Sequence, residues 1–150
     1  MTDQKAASEL KFIIRVPSVL RYVDIAYEFM LQVVRDTELD PERIDWISLA
    51  FREAVNNAVL HGNKKDPEKW VDVEISTREG WLYFKVYDEG PGFDQSILRD
   101  PRTQDNIFRP NGRGIFLIRQ FVDNVRFLED GGRFGIEIGI DLAKKVKKES

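Results

Sequence analysis

Two alternating segments joined by a glycine turn constrain this chain most. Val71, Val73 and Ile75 alternate with Asp72, Glu74 and Ser76, and after Glu79-Gly80 the run Trp81 to Tyr87 (WLYFKVY) returns, richer in apolar residues. Period-two alternation puts one set of side chains on each face of a strand, and so short a glycine-bearing turn joins two such strands as an antiparallel hairpin. Three more segments read the same way. Leu10 to Val16 (LKFIIRV) is compact and β-branched, Val125 to Leu128 is a short strand, and after Asp130-Gly131-Gly132 the residues Phe134, Ile136, Ile138 and Ile140 alternate through a last one.

Between the strands the period changes to that of a helix. Leu20, Val23, Tyr27, Met30, Leu31 and Val34 recur at helical spacing, giving an amphipathic helix of about 17 residues that Ser18 can cap. Asp36 to Leu39 break it. The second helix opens with Asp40 as N-cap, Pro41 at the first helical position and Glu42 at the positive end of the dipole. At about 100° per residue it divides into three faces. Ile44, Ile47, Phe51, Val55 and Ala58 form a core stripe, and Asp45, Ser48, Arg52 and Asn56 a solvated one. Trp46, Leu49, Ala50 and Leu60 form a third, with Glu53 and Asn57 set among them. Gly62 ends this helix, and Asn63 to Pro67 make a polar loop. A third helix runs from Ile115 to Val122. The expected fold is α+β, a two-layer α/β sandwich with a mostly antiparallel mixed sheet covered on one face by helices.

A chain of 150 residues suits one domain, here 1–150 with flexible tails at 1–8 and 144–150. The net charge of −3 supplies no broad basic field, which argues against nucleic acid as the main partner. There is no cysteine for disulfide or thiolate chemistry. No apolar run approaches the ~20 residues of a membrane span, and the amino terminus lacks the apolar stretch of a signal peptide. A soluble cytoplasmic protein is the expectation.

Three stretches carry chemistry. Glu53 and Asn57, four apart on a helix, share a face one turn apart. The carboxylate can act as a general base towards a hydroxyl, and the amide oxygen is a hard ligand suited to Mg²⁺; the pair can equally cap a neighbouring backbone. Asn56 falls on the solvated stripe, which favours Asn57. Asp88 ends an apolar strand and is followed by Gly90 and Gly92. An aspartate placed so can accept a hydrogen bond from an exocyclic amine such as that of adenine, with glycines admitting a flat ring; the same residues also make a plain turn. Gly112 and Gly114 open the third helix, where free backbone N–H groups attract phosphate, although many loops look alike. Arg109 and Arg113 can face a γ-phosphate or solvent. The segment from Phe93 to Asn111 has no clean period and has the length of a lid or binding loop. His61, the sole histidine, reads as a helix-end packing residue, and no second histidine or cysteine exists for zinc. The G-x-x-x-x-G-K-[ST] phosphate loop, the G-x-G-x-x-G fingerprint and the G-x-S-x-G elbow are all absent.

In combination these residues resemble the GHKL ATPase superfamily, whose Bergerat ATP-binding fold serves histidine kinases, gyrase, Hsp90 and MutL. Glu53-x-x-x-Asn57 resembles the N box, Asp88-x-Gly90-x-Gly92 the first glycine box, and Gly112-x-Gly114 the second. The wording EAVNNAVLHGN, DEGPGFD and GRGIFLIRQFVD is most similar to the RsbW-type anti-sigma factor serine/threonine kinases. That resemblance implies a kinase using ATP and Mg²⁺, in which Glu53 activates the acceptor hydroxyl, Asn57 coordinates the metal, Asp88 reads adenine, and Gly112 and Gly114, with Arg113 between them, hold phosphates. It implies a sigma factor and a STAS-domain anti-sigma factor antagonist as partners, and a homodimer. The alternatives are a nucleotide-dependent module that sequesters a partner without transfer, and a stand-alone histidine-kinase-type ATP-binding domain. Two departures stand out. Gly132-Arg133-Phe134-Gly135 occupies the place of a Gly-Thr pair often found near adenine, and Pro110 rather than arginine precedes Asn111.

Overall fold

The computed structural model describes residues 9–90 and 118–144. β1 (Leu10–Pro17) leads through a 3₁₀ turn (Leu20–Tyr22) into α1 (Val23–Val34), followed by α2 (Pro41–Asn57). α2 does not stop at Asn57 but widens into a single π turn, Ala58–Gly62. β2 (Trp70–Arg78) and β3 (Trp81–Asp88) follow, and after a helical stretch at 118–121 come β4 (Asn124–Asp130) and β5 (Arg133–Asp141). The five strands form one sheet in the order β1-β2-β3-β5-β4, and all four pairings are antiparallel.

The strand periodicity explains this register. Phe12, Ile75, Phe84, Ile138 and Val125 are successive cross-strand partners, as are Ile14, Val73, Val86, Ile136 and Phe127. A shift of one residue would carry each row to the opposite face. These two rows meet the helices. Phe51 of α2 packs edge-on against Phe84 with ring centroids 5.2 Å apart, and Phe29 of α1 against Phe12 at 6.2 Å. Ile47, Phe51, Val55, Ile75, Phe84 and Ile138 are fully buried, each contributing about 1.5–3 kcal/mol by leaving water.

The other sheet face is polar yet tightly linked. Arg15 pairs with Asp72 at 2.6 Å, Arg133 reaches the same carboxylate at 2.7 Å, and the Arg133 guanidinium lies 4.3 Å from the centroid of the Tyr87 ring. A Cβ at Gly135 would press on that ring and on the Val86 carbonyl, so glycine is what lets β5 lie there. Both tight hairpins use two successive residues with positive φ, Glu79-Gly80 and Gly131-Gly132, the backbone hand that matches strand twist.

The helices depart from the sequence reading in three places. α1 begins five residues later than Ser18, whose side chain makes no cap: it is fully buried, and its backbone N–H donates to the Lys69 carbonyl at 3.0 Å. Asp40 stands at the N-cap of α2 with Pro41 behind it, but its side chain caps nothing; its carbonyl accepts from Ile44 N–H. Ser48, placed on the solvated stripe, is buried because its hydroxyl bonds back to the Ile44 carbonyl at 2.6 Å. Satisfied within its own helix, it loses nothing by leaving water. Arg43 is also buried: it donates to the carbonyls of Asp141 and Lys144 and pairs with Asp123, pinning the start of α2 to the end of β5.

Candidate functional site

Glu53 and Asn57 are both half-buried on the last two α-helical turns of α2. Their i, i+4 spacing survives because the helix widens only after Asn57. Asn56 is half-buried as well, so burial alone does not separate the two asparagines. Arg52, next to Glu53, points away from it towards α1, where it meets Asp24 at 3.0 Å and the Tyr27 ring at 4.2 Å. On the Glu53 side, Trp46 stacks on Phe121 with centroids 4.6 Å apart. The helical stretch at 118–121 therefore packs on α2 through Trp46, two turns before Glu53.

The π turn ends against the end of β3. Gly62 lies so close to Asp88 that a Cβ there would collide with the carboxylate, and a Cβ on Gly90 would collide with the Gly62 carbonyl. The Gly90 N–H donates to Asp88 Oδ1 at 2.8 Å; among the described residues no group donates to Oδ2. Three glycine-thin contacts thus bring the aspartate to the end of the Glu53–Asn57 helix. Asn63, buried beside it, accepts from Glu89 N–H at 2.8 Å and donates to the Trp70 carbonyl at 2.9 Å, while Trp70 N–H donates to Glu89 Oε2 at 2.6 Å. Gly92, Gly112, Arg113, Gly114 and Arg109 lie outside the described residues, as do the segment 93–111 and the tails at 1–8 and 145–150.

Sequence reasoning assigned Gly62 only to helix termination and Asn63 to a polar loop. The composition carries a faint signal, an Asn directly after a Gly at a helix end. What makes both residues necessary is the approach of β3, a contact 26 residues away in sequence.

The electrostatics single out Asp88. Burial pushes its carboxyl up to about 6, against the opposing pull of the Gly90 N–H and Lys69. Asp72 and Asp123 behave in the opposite sense. Burial pushes each up, but hydrogen bonds from Arg15 and Arg133 in one case, and from the Asp141 N–H and Lys144 in the other, outweigh it and hold them below their ordinary value. Burial lowers His61, leaving it neutral at pH 7, in keeping with a packing role. Because Asp88 takes up a proton more readily folded than unfolded, stability falls as pH rises from about 4 to 6, and the penalty is complete above that window. Asp72 and Asp123 contribute stability at neutral pH that is lost only in acid. Asp88→Asn, which keeps an acceptor for Gly90, is expected to abolish the fall between pH 4 and 6 and to be more stable than the parent at pH 8. Urea melts across this range decide it; an unchanged pH profile would show that Asp88 is not desolvated.

A site of this shape could hold a nucleotide with Mg²⁺. Among the described residues no cluster of three or more His, Cys, Asp or Glu could cage a metal by itself. Mg²⁺ keeps its waters and takes one or two protein oxygens along with phosphate oxygens, and the Asn57 amide oxygen is the candidate for such a ligand. Glycines at 62 and 90 serve the packing of the helix end on the strand end, because a Cβ at either would meet Asp88 or the Gly62 carbonyl.

The antiparallel sheet from Val16 to Gly135, the helix-borne Glu53–Asn57 pair and Asp88 all fall within the span of one family profile. The family profile described as "Histidine kinase-like ATPase domain" matches residues 16–135, and the chain belongs to that family. Among its relatives are serine-protein kinases RsbW. That of Bacillus cereus is 28% identical over 128 residues, covering 81% of this chain and 79% of that protein; that of Staphylococcus aureus is 27% identical over 142 residues, covering 90% and 86%. The fold is also that of a crystal structure of the RsbU and RsbW domains of a Mycobacterium tuberculosis protein, with a TM-score of 0.63 over 87% of this chain at 16% identity; the match spans 32% of that longer chain.

Proposed function

We propose that this chain is an ATP-dependent protein serine kinase of RsbW type, acting in the cytoplasm as a homodimer. In this reading it binds a sigma factor and phosphorylates a serine on a STAS-domain antagonist. The observation that carries the reading is the packing of Asp88 against Gly62 and Gly90 at the end of the helix bearing Glu53 and Asn57. A base-reading carboxylate, a general base and a metal ligand then belong to one continuous piece of structure.

Each residue has a proposed task. Asp88, ionised above about pH 6, accepts a hydrogen bond from the exocyclic amine of adenine. Gly90 lets the turn after Asp88 pack on the Gly62 carbonyl at the base site, Gly92 belongs to the same nucleotide-binding turn, and Gly112, Arg113 and Gly114 hold the phosphates. Asn57 would hold Mg²⁺, which when bound neutralises charge on the phosphate oxygens. Glu53 takes the proton of the acceptor serine hydroxyl as that oxygen bonds to the γ-phosphorus, while the bond from phosphorus to the ADP oxygen breaks. Such transfer depends mainly on positioning and charge stabilisation.

The test is incubation of the purified chain with Mg-ATP and a STAS-domain partner, followed by intact-mass measurement and phosphosite mapping. One added phosphoryl group on a single serine is the expected result. Nucleotide-dependent complex formation with no mass change would replace the kinase by a sequestering module.

A further inference from the structure

The loop after the π turn contains a buried amide that the mechanism above does not use. Asn63 is only 1% exposed. Its own N–H donates to the Ala58 carbonyl at 2.8 Å and closes the π turn. Its side-chain oxygen accepts from Glu89 N–H and its side-chain nitrogen donates to the Trp70 carbonyl. One residue therefore ties together the end of the helix, the start of β2 and the residue directly after Asp88. Glu89 adds a second strap, since its exposed carboxylate accepts from the Trp70 N–H.

This arrangement needs an amide. Only Asn or Gln presents an acceptor and a two-proton donor on one uncharged head, and Asn has the shorter reach. Lys64 and Lys65, which follow, both take positive φ, a conformation costly for side chains other than Gly or Asn. Lys65 N–H nonetheless reaches the Val59 carbonyl at 2.7 Å. Backbone strain is accepted here where it delivers Asn63 to its three partners. Gly62 presses on Asp88 from one side, and the Asn63 link fixes the backbone on the other.

We propose that Asn63 is a positioning residue which, with Glu89, holds the Asp88 carboxylate in the one orientation that reads an exocyclic amine. The proposal rests on the reading of Asp88 as the base-recognising group. Its role differs from simple support of the fold, because it acts on discrimination between bases and not on nucleotide affinity at large.

The experiment compares ADP with IDP, in which an oxygen replaces the exocyclic amine, by titration calorimetry with Mg²⁺ present. The variants are Asn63→Ala, Asp88→Ala and the double variant. Asn63→Ala is expected to lower the ADP/IDP affinity ratio at least fivefold with IDP affinity unchanged, and the double variant to lose no more than Asp88→Ala alone. A parent-like ratio in Asn63→Ala, equal weakening of both nucleotides, or additive losses in the double variant would each overturn the proposal. If Asp88→Ala itself leaves the ratio unchanged, the base-reading role fails and the proposal with it. A collapse in Asp88→Ala alone removes only Asn63. Should Asn63→Ala not fold, Glu89→Ala cuts the second strap at an exposed side chain, and Glu89→Gln keeps its acceptor. A loss of at least threefold in Glu89→Ala with retention in Glu89→Gln supports the proposal, and equal ratios in both sink it.

Discussion

Glu53→Gln is expected to lower phosphoryl transfer to the acceptor serine by about 100-fold or more while ADP binds as tightly as before. General-base contributions are typically about 10²–10⁴-fold. Glutamine keeps the size and polarity of the side chain but cannot take a proton. Glu53 lies half-buried on α2, two turns after Trp46, and among the described residues no hydrogen bond joins it to Asp88. Loss of the base should therefore leave base recognition intact. Single-turnover transfer with saturating Mg-ATP, set beside ADP calorimetry, separates the two quantities. Transfer at the parent rate would remove Glu53 from the role of base. A matched fall in ADP affinity would instead make it a binding residue.

Gly62→Ala is the second large effect, and it depends on geometry alone. The added methyl would stand inside the contact radius of the Asp88 carboxylate. The carboxylate cannot simply swing aside, because Oδ1 is held by Gly90 N–H and Gly90 is itself packed on the Gly62 carbonyl. The helix end and the strand end must separate. Overpacking of this kind typically costs about 1–3 kcal/mol, and displacement of Asp88 should weaken ADP at least tenfold, about 1.4 kcal/mol. Urea melts report the first and calorimetry the second. A variant with the parent's melting midpoint and ADP affinity would mean that the helix and strand ends do not meet as described.

Much of the architecture was legible in the sequence because hydrophobic period is a local property. Val71–Val73–Ile75 and Ile136–Ile138–Ile140 alternate whether or not any partner is known, and they are the inner rows of the sheet. Of the core stripe Ile44, Ile47, Phe51, Val55 and Ala58, which followed from helical spacing, all are buried except Ile44, which is half-buried. Where the reading failed, a polar residue stood in a setting that spacing does not record. Ser48 looks solvated by spacing, yet it is satisfied by its own helix and buried. Ser18 looks like a cap, yet the chain takes a 3₁₀ turn first and hides it. Arg43, which no local pattern marks, is buried by carbonyl partners 98 and 101 residues away.

The site divides along the same line. The sequence by itself determined that a carboxylate and an amide share a helix face one turn apart, and that an aspartate closes an apolar strand before a glycine-rich turn. Those are consequences of residue type and spacing within one element. Only the tertiary structure decided that the π turn after Asn57 ends on Asp88, that Gly62 and Gly90 have no room for a Cβ, and that Asn63 joins helix, β2 and β3. Burial of Asp88 and the rise of its carboxyl to about 6 belong there too. The physical reason is common to all of these. Close packing and desolvation are set by which segments meet, and no local period records the approach of a strand from elsewhere in the chain.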